Sequence, residues 1–168
     1  MRRGWIPPST ASAVLLMGLL APLSLAETPQ AATALPPMAV AAWVSTAGPY
    51  GPMWDLTIAA DARATLEVLY PFNPSGRLAG NFEIAEERLA TLRRAVETER
   101  FFDLPAELGP KEAILAHMPD LRLEIQVGAK KHKVALYDPS QVARLATTRR
   151  FLTVWQTVYA GLPIRPTW

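Results

Sequence analysis

The chain has 168 residues, no cysteine, and 17 basic against 15 acidic residues. Without cysteine it can form neither a disulfide framework nor a thiolate-ligated metal site, so packing alone must hold its core. The small net charge also argues against a strongly basic nucleic-acid-binding protein.

The first 26 residues have the pattern of an export signal. Arg2 and Arg3 precede an apolar run at 11–20, and Ser24, Leu25 and Ala26 offer the small residues that an export peptidase reads. A membrane anchor would need about 20 apolar residues, and this run is shorter. The sequence therefore predicts a signal peptide at 1–26, a periplasmic or secreted location, and no membrane span after cleavage. Sec and twin-arginine export both stay open.

Cleavage would change the charge balance of the chain. It removes Arg2 and Arg3 and no acidic residue, which leaves 15 residues of each sign. A balanced chain has no overall field to attract nucleic acid or an anionic membrane, so neither is an expected partner. The remaining length is enough for one domain with a single core.

The segment 27–37 is rich in alanine, threonine and proline and is predicted to be a flexible leader. A single domain is predicted at 38–163, with a tail at 164–168. Its first element is a strand around Trp43. A loop rich in glycine and proline follows at 48–52.

Two stretches show the alternation of half-buried antiparallel hairpins. In 54–70, apolar residues at every second position flank a break at 60–63, and in 121–137 they flank a turn at 128–131. A short strand is predicted at 78–82. The apolar and polar positions of each arm should face opposite sides of one sheet.

Helical spacing follows each hairpin. Ala85, Leu89, Leu92 and Val96 form one apolar stripe within 84–99, and 106–119 is predicted to be an irregular connection. In the last helix Asp138, Pro139 and Gln141 match a capping box with proline at the first position. Its predicted buried stripe is Val142, Leu145, Leu152, Trp155 and Tyr159, with Gly161 and Pro163 as the stop.

Together these elements predict an α+β fold. We expect an antiparallel sheet of four or five strands with two helices packed on one face, in a doubled hairpin-plus-helix plan. The other face would stay open. It should carry the polar positions of the hairpins, namely Asp55, Thr57, Thr65, Glu67, Arg122, Glu124 and Gln126.

The run 43–58, with Asp61 and Arg63 in the following turn, resembles a family of exported bacterial domains of unknown function. Gly80, Phe101, Phe102, Leu104 and Pro105 also stand where that family's pattern places them. The resemblance covers about residues 40–160 and implies the same α+β order of elements. The chain departs from the family where it lacks the loop cysteines and where Ala62 replaces the turn glycine. The family supplies no activity.

The residues that catalysis requires do not form a recognisable set. The serines after the signal (Ser45, Ser75 and Ser140) lack a nucleophile motif, and His117 and His132 are too few for a convincing metal site. The acids Glu86, Glu87, Glu97 and Glu99 lie among arginines on the solvent-facing side of a predicted helix, where charge pairs are common. The sequence therefore predicts no catalytic residue, no metal ligand and no cofactor.

Six residues are the candidates for partner binding. Lys130, Lys131, His132 and Lys133 form the densest local charge and could dock an anionic partner, although lysines at a hairpin tip also keep a strand edge soluble. Trp43 and Tyr50 could line a groove or belong to the core.

For function, the sequence favours an exported, non-catalytic domain that binds a protein or a cell-envelope component. Two alternatives stay open. One is a small periplasmic hydrolase with an unrecognised site, and the other is an inhibitor or chaperone-like accessory that acts through its sheet.

Overall fold

The structure, a computed structural model, describes residues 35–45, 53–70, 76–110 and 118–163. The predicted signal peptide at 1–26, most of the leader at 27–37, the loop at 48–52 and the tail at 164–168 lie outside the described residues.

The described residues form seven strands, three α-helices and one 3₁₀ turn. The strands are β1 (Met38–Ser45), β2 (Met53–Ile58), β3 (Arg63–Leu69), β4 (Arg77–Glu83), β5 (Glu107–Leu108), β6 (Asp120–Val127) and β7 (Lys130–Tyr137). The helices are α1 (Glu86–Thr98), α2 (Pro139–Val142) and α3 (Ala146–Ala160), and the 3₁₀ turn is Phe101–Asp103.

All seven strands belong to one sheet in the order β4-β3-β2-β1-β6-β7-β5. The predicted α+β class is confirmed, but the described sheet has seven strands rather than four or five, it is not wholly antiparallel, and three helices rather than two accompany it. The sheet is mixed because β5, within the stretch predicted to be irregular, pairs with β7 in parallel. A strand of two residues has no alternation of its own, so only its contact with β7 defines it.

The two predicted hairpins, β2–β3 and β6–β7, are confirmed. Their registers place Trp54 opposite Val68 and Leu123 opposite Val134. Strand β1 lies between them and pairs antiparallel with both β2 and β6. This central position joins the polar sides of the two hairpins into one continuous surface.

The core lies between one face of the sheet and the helices. Alternate residues of β1, β2, β3, β6 and β7 are buried there, as the apolar phase of each strand predicts. The ring of Trp155 from α3 stands 5.3 Å from the ring of Trp54, and Phe151 stacks 6.0 Å from Trp155. The indole nitrogens of both tryptophans lack a hydrogen-bond partner, so packing rather than polar bonding holds these rings.

Arg150 of α3 closes the C-terminal end of α1. Its Nε donates to the carbonyl of Glu99 over 2.7 Å, and its Nη2 donates to the carbonyl of Arg100 over 2.9 Å. The last carbonyls of a helix have no partner within the helix and carry partial negative charge. The guanidinium therefore stabilises the end of α1 and fixes it against α3.

The predicted single C-terminal helix was wrong in two respects. Asp138 adopts a left-handed backbone with φ of 45°, and its carboxylate accepts hydrogen bonds from the side chains of Ser140 and Gln141 instead of capping the backbone. The chain then breaks after Val142 and starts α3 at Ala146. The break changes the helical phase, which leaves Leu145 53% exposed. The buried side of α3 is Thr148, Phe151, Val154, Trp155 and Val158.

Candidate functional site

The face of the sheet opposite the helices is open to solvent in the described structure, and Trp43 lies near its centre. This residue stands opposite Asp55 on β2 and opposite Arg122 on β6. The guanidinium carbon of Arg122 lies 4.5 Å from the centroid of the Trp43 ring. That distance is within the range of a cation–π contact, which is favourable even at exposed sites.

Asp120 fixes the orientation of Arg122. Its Oδ2 accepts hydrogen bonds from Nε over 3.1 Å and from Nη2 over 2.6 Å. Residues two apart on a strand point to the same face, so β6 itself supplies this pair. Held between a carboxylate and an aromatic ring, the guanidinium is ordered before any ligand arrives.

Two depressions flank this pair. The first, here called the tryptophan groove, has a volume of about 230 Å³ and lies over Ala41, whose small side chain leaves room between larger neighbours. Its walls are Trp43, Asp55, Arg122, Glu124 and Lys133.

The second depression, here called the edge groove, has a volume of about 830 Å³ and runs over β7 and β5. Its lining includes residues 106–110, Asp120, Ala135 and Tyr137. Gly109 approaches β7 so closely that an added Cβ would stand 3.1 Å from the carbonyl oxygen of Tyr137. Arg122 and Lys133 line both grooves and so join them into one site.

The charges of the site are only partly neutralised. Lys131 pairs with Glu124 over 2.7 Å, whereas Lys133 has no ion pair within the described part of the chain. Lys133 is therefore available to a ligand at the junction of the grooves. Burial among the strands, and then the negative charge of Glu67, raise the pKa of Asp55 above its ordinary value.

The structure divides the predicted basic cluster between the two faces of the sheet. The hairpin turn is only Gly128–Ala129, with Gly128 at a φ of 57°, so the prediction that the lysines form the tip was wrong. Residues 130–133 belong to β7, where successive side chains alternate. Lys131 and Lys133 point to the open face, and Lys130 and His132 point to the helix side.

His132 has a structural environment. Its Nε2 lies 2.8 Å from the carbonyl oxygen of Leu104, and its ring meets Phe101 edge to face at 5.8 Å. Lys130 lines a separate cavity of about 300 Å³ beside the end of α1. Of the six candidates, the structure brings Trp43 and Lys133 into one groove. Tyr50 lies outside the described residues.

Arg122, Asp120 and Tyr137 were not among the predicted binding residues. The alternation of β6 placed Arg122 on the open face, but its position beside Trp43 depends on β1 lying between the hairpins. That strand order depends on contacts between distant segments, and no local pattern encodes it.

Catalytic and metal-binding constellations are not found among the described side chains. No group of three or more His, Asp or Glu residues there could hold a metal ion. The hydroxyl of Ser140 donates a hydrogen bond to the carboxylate of Asp138, whereas His132 contacts the carbonyl of Leu104. His117 lies outside the described ranges.

Within the described ranges, no helix combines the length and the hydropathy that crossing a bilayer requires. The chain matches no model of a known protein family and none of the curated proteins with which it was compared.

Proposed function

We propose that the chain is an exported, non-catalytic domain that binds a protein of the cell envelope through the open face of its sheet. One observation carries the proposal. Trp43 stands partly exposed beside an ordered arginine, between two grooves, on the face that the helices leave uncovered.

The residue types support a protein partner. Tryptophan, tyrosine and arginine contribute most of the binding energy in protein interfaces, because large side chains bury much surface with few rotatable bonds. Trp43, Arg122 and Tyr137 line the joined grooves. Asp120 already orders Arg122, so less conformational entropy is lost on binding.

The charges indicate which partner groups fit. Lys133, at the junction of the grooves, has no ion pair with any described residue, and Arg122 keeps donors beyond the two that Asp120 engages. A partner segment with an acidic side chain over this junction and an apolar one over Trp43 would satisfy both features.

Photo-crosslinking in living cells tests the proposal. A photoreactive phenylalanine analogue at Thr57, exposed on the open face beside the tryptophan groove, should yield a discrete crosslinked protein. The same analogue at Thr153, exposed on α3, is the matched control and should yield none. Equal products from both positions, or a product from Thr153 alone, would contradict the proposal.

A hydrolase is the second candidate, and Asp55 is the observation that favours it. A carboxyl group with a raised pKa beside a groove is a property of many general acids. The test is turnover of an esterase and glycosidase panel by the purified protein. Activity that disappears in Asp55→Asn would replace the binding proposal with an enzymatic one.

A further inference from the structure

Among the described strands, β4 is an edge of the sheet, and one side of its backbone has no strand beside it over its whole length. At its ends, the carbonyl of Gly76 accepts from the amide of Tyr70, and the amide of Ile84 donates to the carbonyl of Ala62. In an antiparallel pair, residues alternate between bonding to one side and to the other. Even-numbered residues of β4 therefore bond to β3, and the odd-numbered residues from 77 to 83 direct their amides and carbonyls outward.

The helix layer does not cover the helix side of this edge. Leu78, which points to that side, is 62% exposed, and a Cβ added to Gly80 would have no atom within 4 Å. Phe82 is only partly buried. An apolar strip therefore runs along a strand whose outer edge has no partner within the described ranges, which is the combination that promotes strand pairing.

The sequence of β4 is complementary to itself in the antiparallel direction. When two copies are centred on Gly80, Arg77 of each copy stands opposite Glu83 of the other, and Leu78 stands opposite Phe82. The first pair has opposite charges on the open face, and the second is apolar on the helix side. Both kinds of cross-strand pair stabilise a sheet.

The backbone permits the same alignment. Odd-numbered residues face odd-numbered residues in it, so the outward amides and carbonyls of one copy meet those of the other. The strand contains no proline, which would remove a donor. We propose that two copies of this chain pair through β4 and form one continuous sheet across a two-fold axis.

The remaining charges fit this arrangement. Arg77 already bonds Glu67 of its own chain over 2.7 Å, which holds its guanidinium on the open face with further donors free. Glu83 has no ion pair in the described structure. A partner of another sequence would need its own basic and acidic residues at the same spacing, whereas a second copy supplies them by symmetry.

Charge exchange between two variants tests the pairing. The complete sequence is expressed and the resulting protein is purified. Its self-association is measured by analytical ultracentrifugation over a range of concentrations. Two edge strands bury less surface than a standard interface, so we expect a dimer with a dissociation constant in roughly the micromolar range. Glu83→Arg and Arg77→Glu each place like charges opposite one another, and each should weaken self-association about tenfold or more.

Mixing the two variants should restore the dimer, because Arg77 of one then faces Glu83 of the other and the two substituted residues also form an opposite pair. Glu97→Arg on α1 makes the same change in net charge as Glu83→Arg and should leave association unchanged. Circular dichroism confirms that each variant is folded. A monomeric wild type, a dimer insensitive to both variants, a mixture that stays monomeric, or an equal effect of Glu97→Arg would each overturn the proposal.

Discussion

The guanidinium of Arg122 lies 4.5 Å from the ring centroid of Trp43, on adjacent strands of the uncovered sheet face. The two residues are far apart in sequence. They meet because β1 lies between the two hairpins and pairs with β6. The contact therefore depends on the whole sheet. Substitutions on the open face that keep the sheet intact should weaken binding without destabilising the fold. Substitutions in the helix layer should destabilise the fold without weakening binding.

Arg150→Ala should destabilise the fold. It removes both hydrogen bonds to the carbonyls at the end of α1, although the carbonyl of Arg100 keeps the bond from the amide of Asp103. We expect a loss of about 1–2 kcal/mol in the free energy of unfolding, measured by chemical denaturation. Arg149→Ala, one residue earlier on α3, is the control and should change stability by less than about 0.5 kcal/mol. Similar losses in both variants would contradict the capping role.

Ala62→Gly should stabilise the fold. Ala62 has a φ of 69°, a left-handed conformation that costs an L-residue with a Cβ about 1–2 kcal/mol. Glycine removes this cost, although it increases the entropy of the unfolded chain by about 0.4–1 kcal/mol. We expect a net gain of up to about 1 kcal/mol in thermal or chemical unfolding.

Ala60→Gly in the same turn separates the two effects. Ala60 has no positive φ, so glycine there brings only the entropic cost and should destabilise the protein. If both glycine variants shift stability in the same direction, backbone strain at Ala62 is not the cause.

The titration of Asp55 should make the free energy of unfolding depend on pH in the acidic range. Its pKa in the folded protein is raised above 3.8 by burial and then by Glu67, so the folded state binds more protons than the unfolded state just above that pH. Stability from this group is therefore present at low pH and falls as the pH rises through the folded pKa. Asp55→Asn should remove the fall, and its advantage over the wild type should disappear below pH 3.8.

Glu67→Gln provides an independent measure of the same effect. NMR titration of the Asp55 carboxyl should show its pKa moving part of the way towards the ordinary value, because the charge of Glu67 is removed but burial remains. An unchanged pKa of Asp55 would show that the two carboxylates do not interact.

The residues explain which parts of the fold were predictable. Trp54, Leu56 and Ile58 alternate with polar residues, so their hairpin could be derived from local pattern alone. Strand β5 could not, because Glu107 and Leu108 carry no alternation and pair only with distant residues of β7. The break between α2 and α3 was not predictable from the sequence. Leu145 occupies the N-cap position of α3, and a leucine cannot cap a helix with its side chain, so no local signal marks the start of α3.

The candidate site was only partly predictable for the same reason. Alternation placed Arg122 and Glu124 on the open face, and composition singled out Trp43 and the lysines. Whether these residues share a groove depends on strand order and register. The four residues 130–133 illustrate this, since β7 sends two of them to each side of the sheet.

The affinity of Trp43→Ala for the crosslinked partner tests whether the partner binds the open face of the sheet. Loss of a central tryptophan should weaken the affinity by about 2 kcal/mol, or roughly 30-fold, in calorimetric titration. Phe102→Ala, which truncates a partly buried aromatic residue on the helix side, should bind as the wild type does. Equal affinity of Trp43→Ala and the wild type, or a loss confined to Phe102→Ala, would show that the partner does not bind the open face.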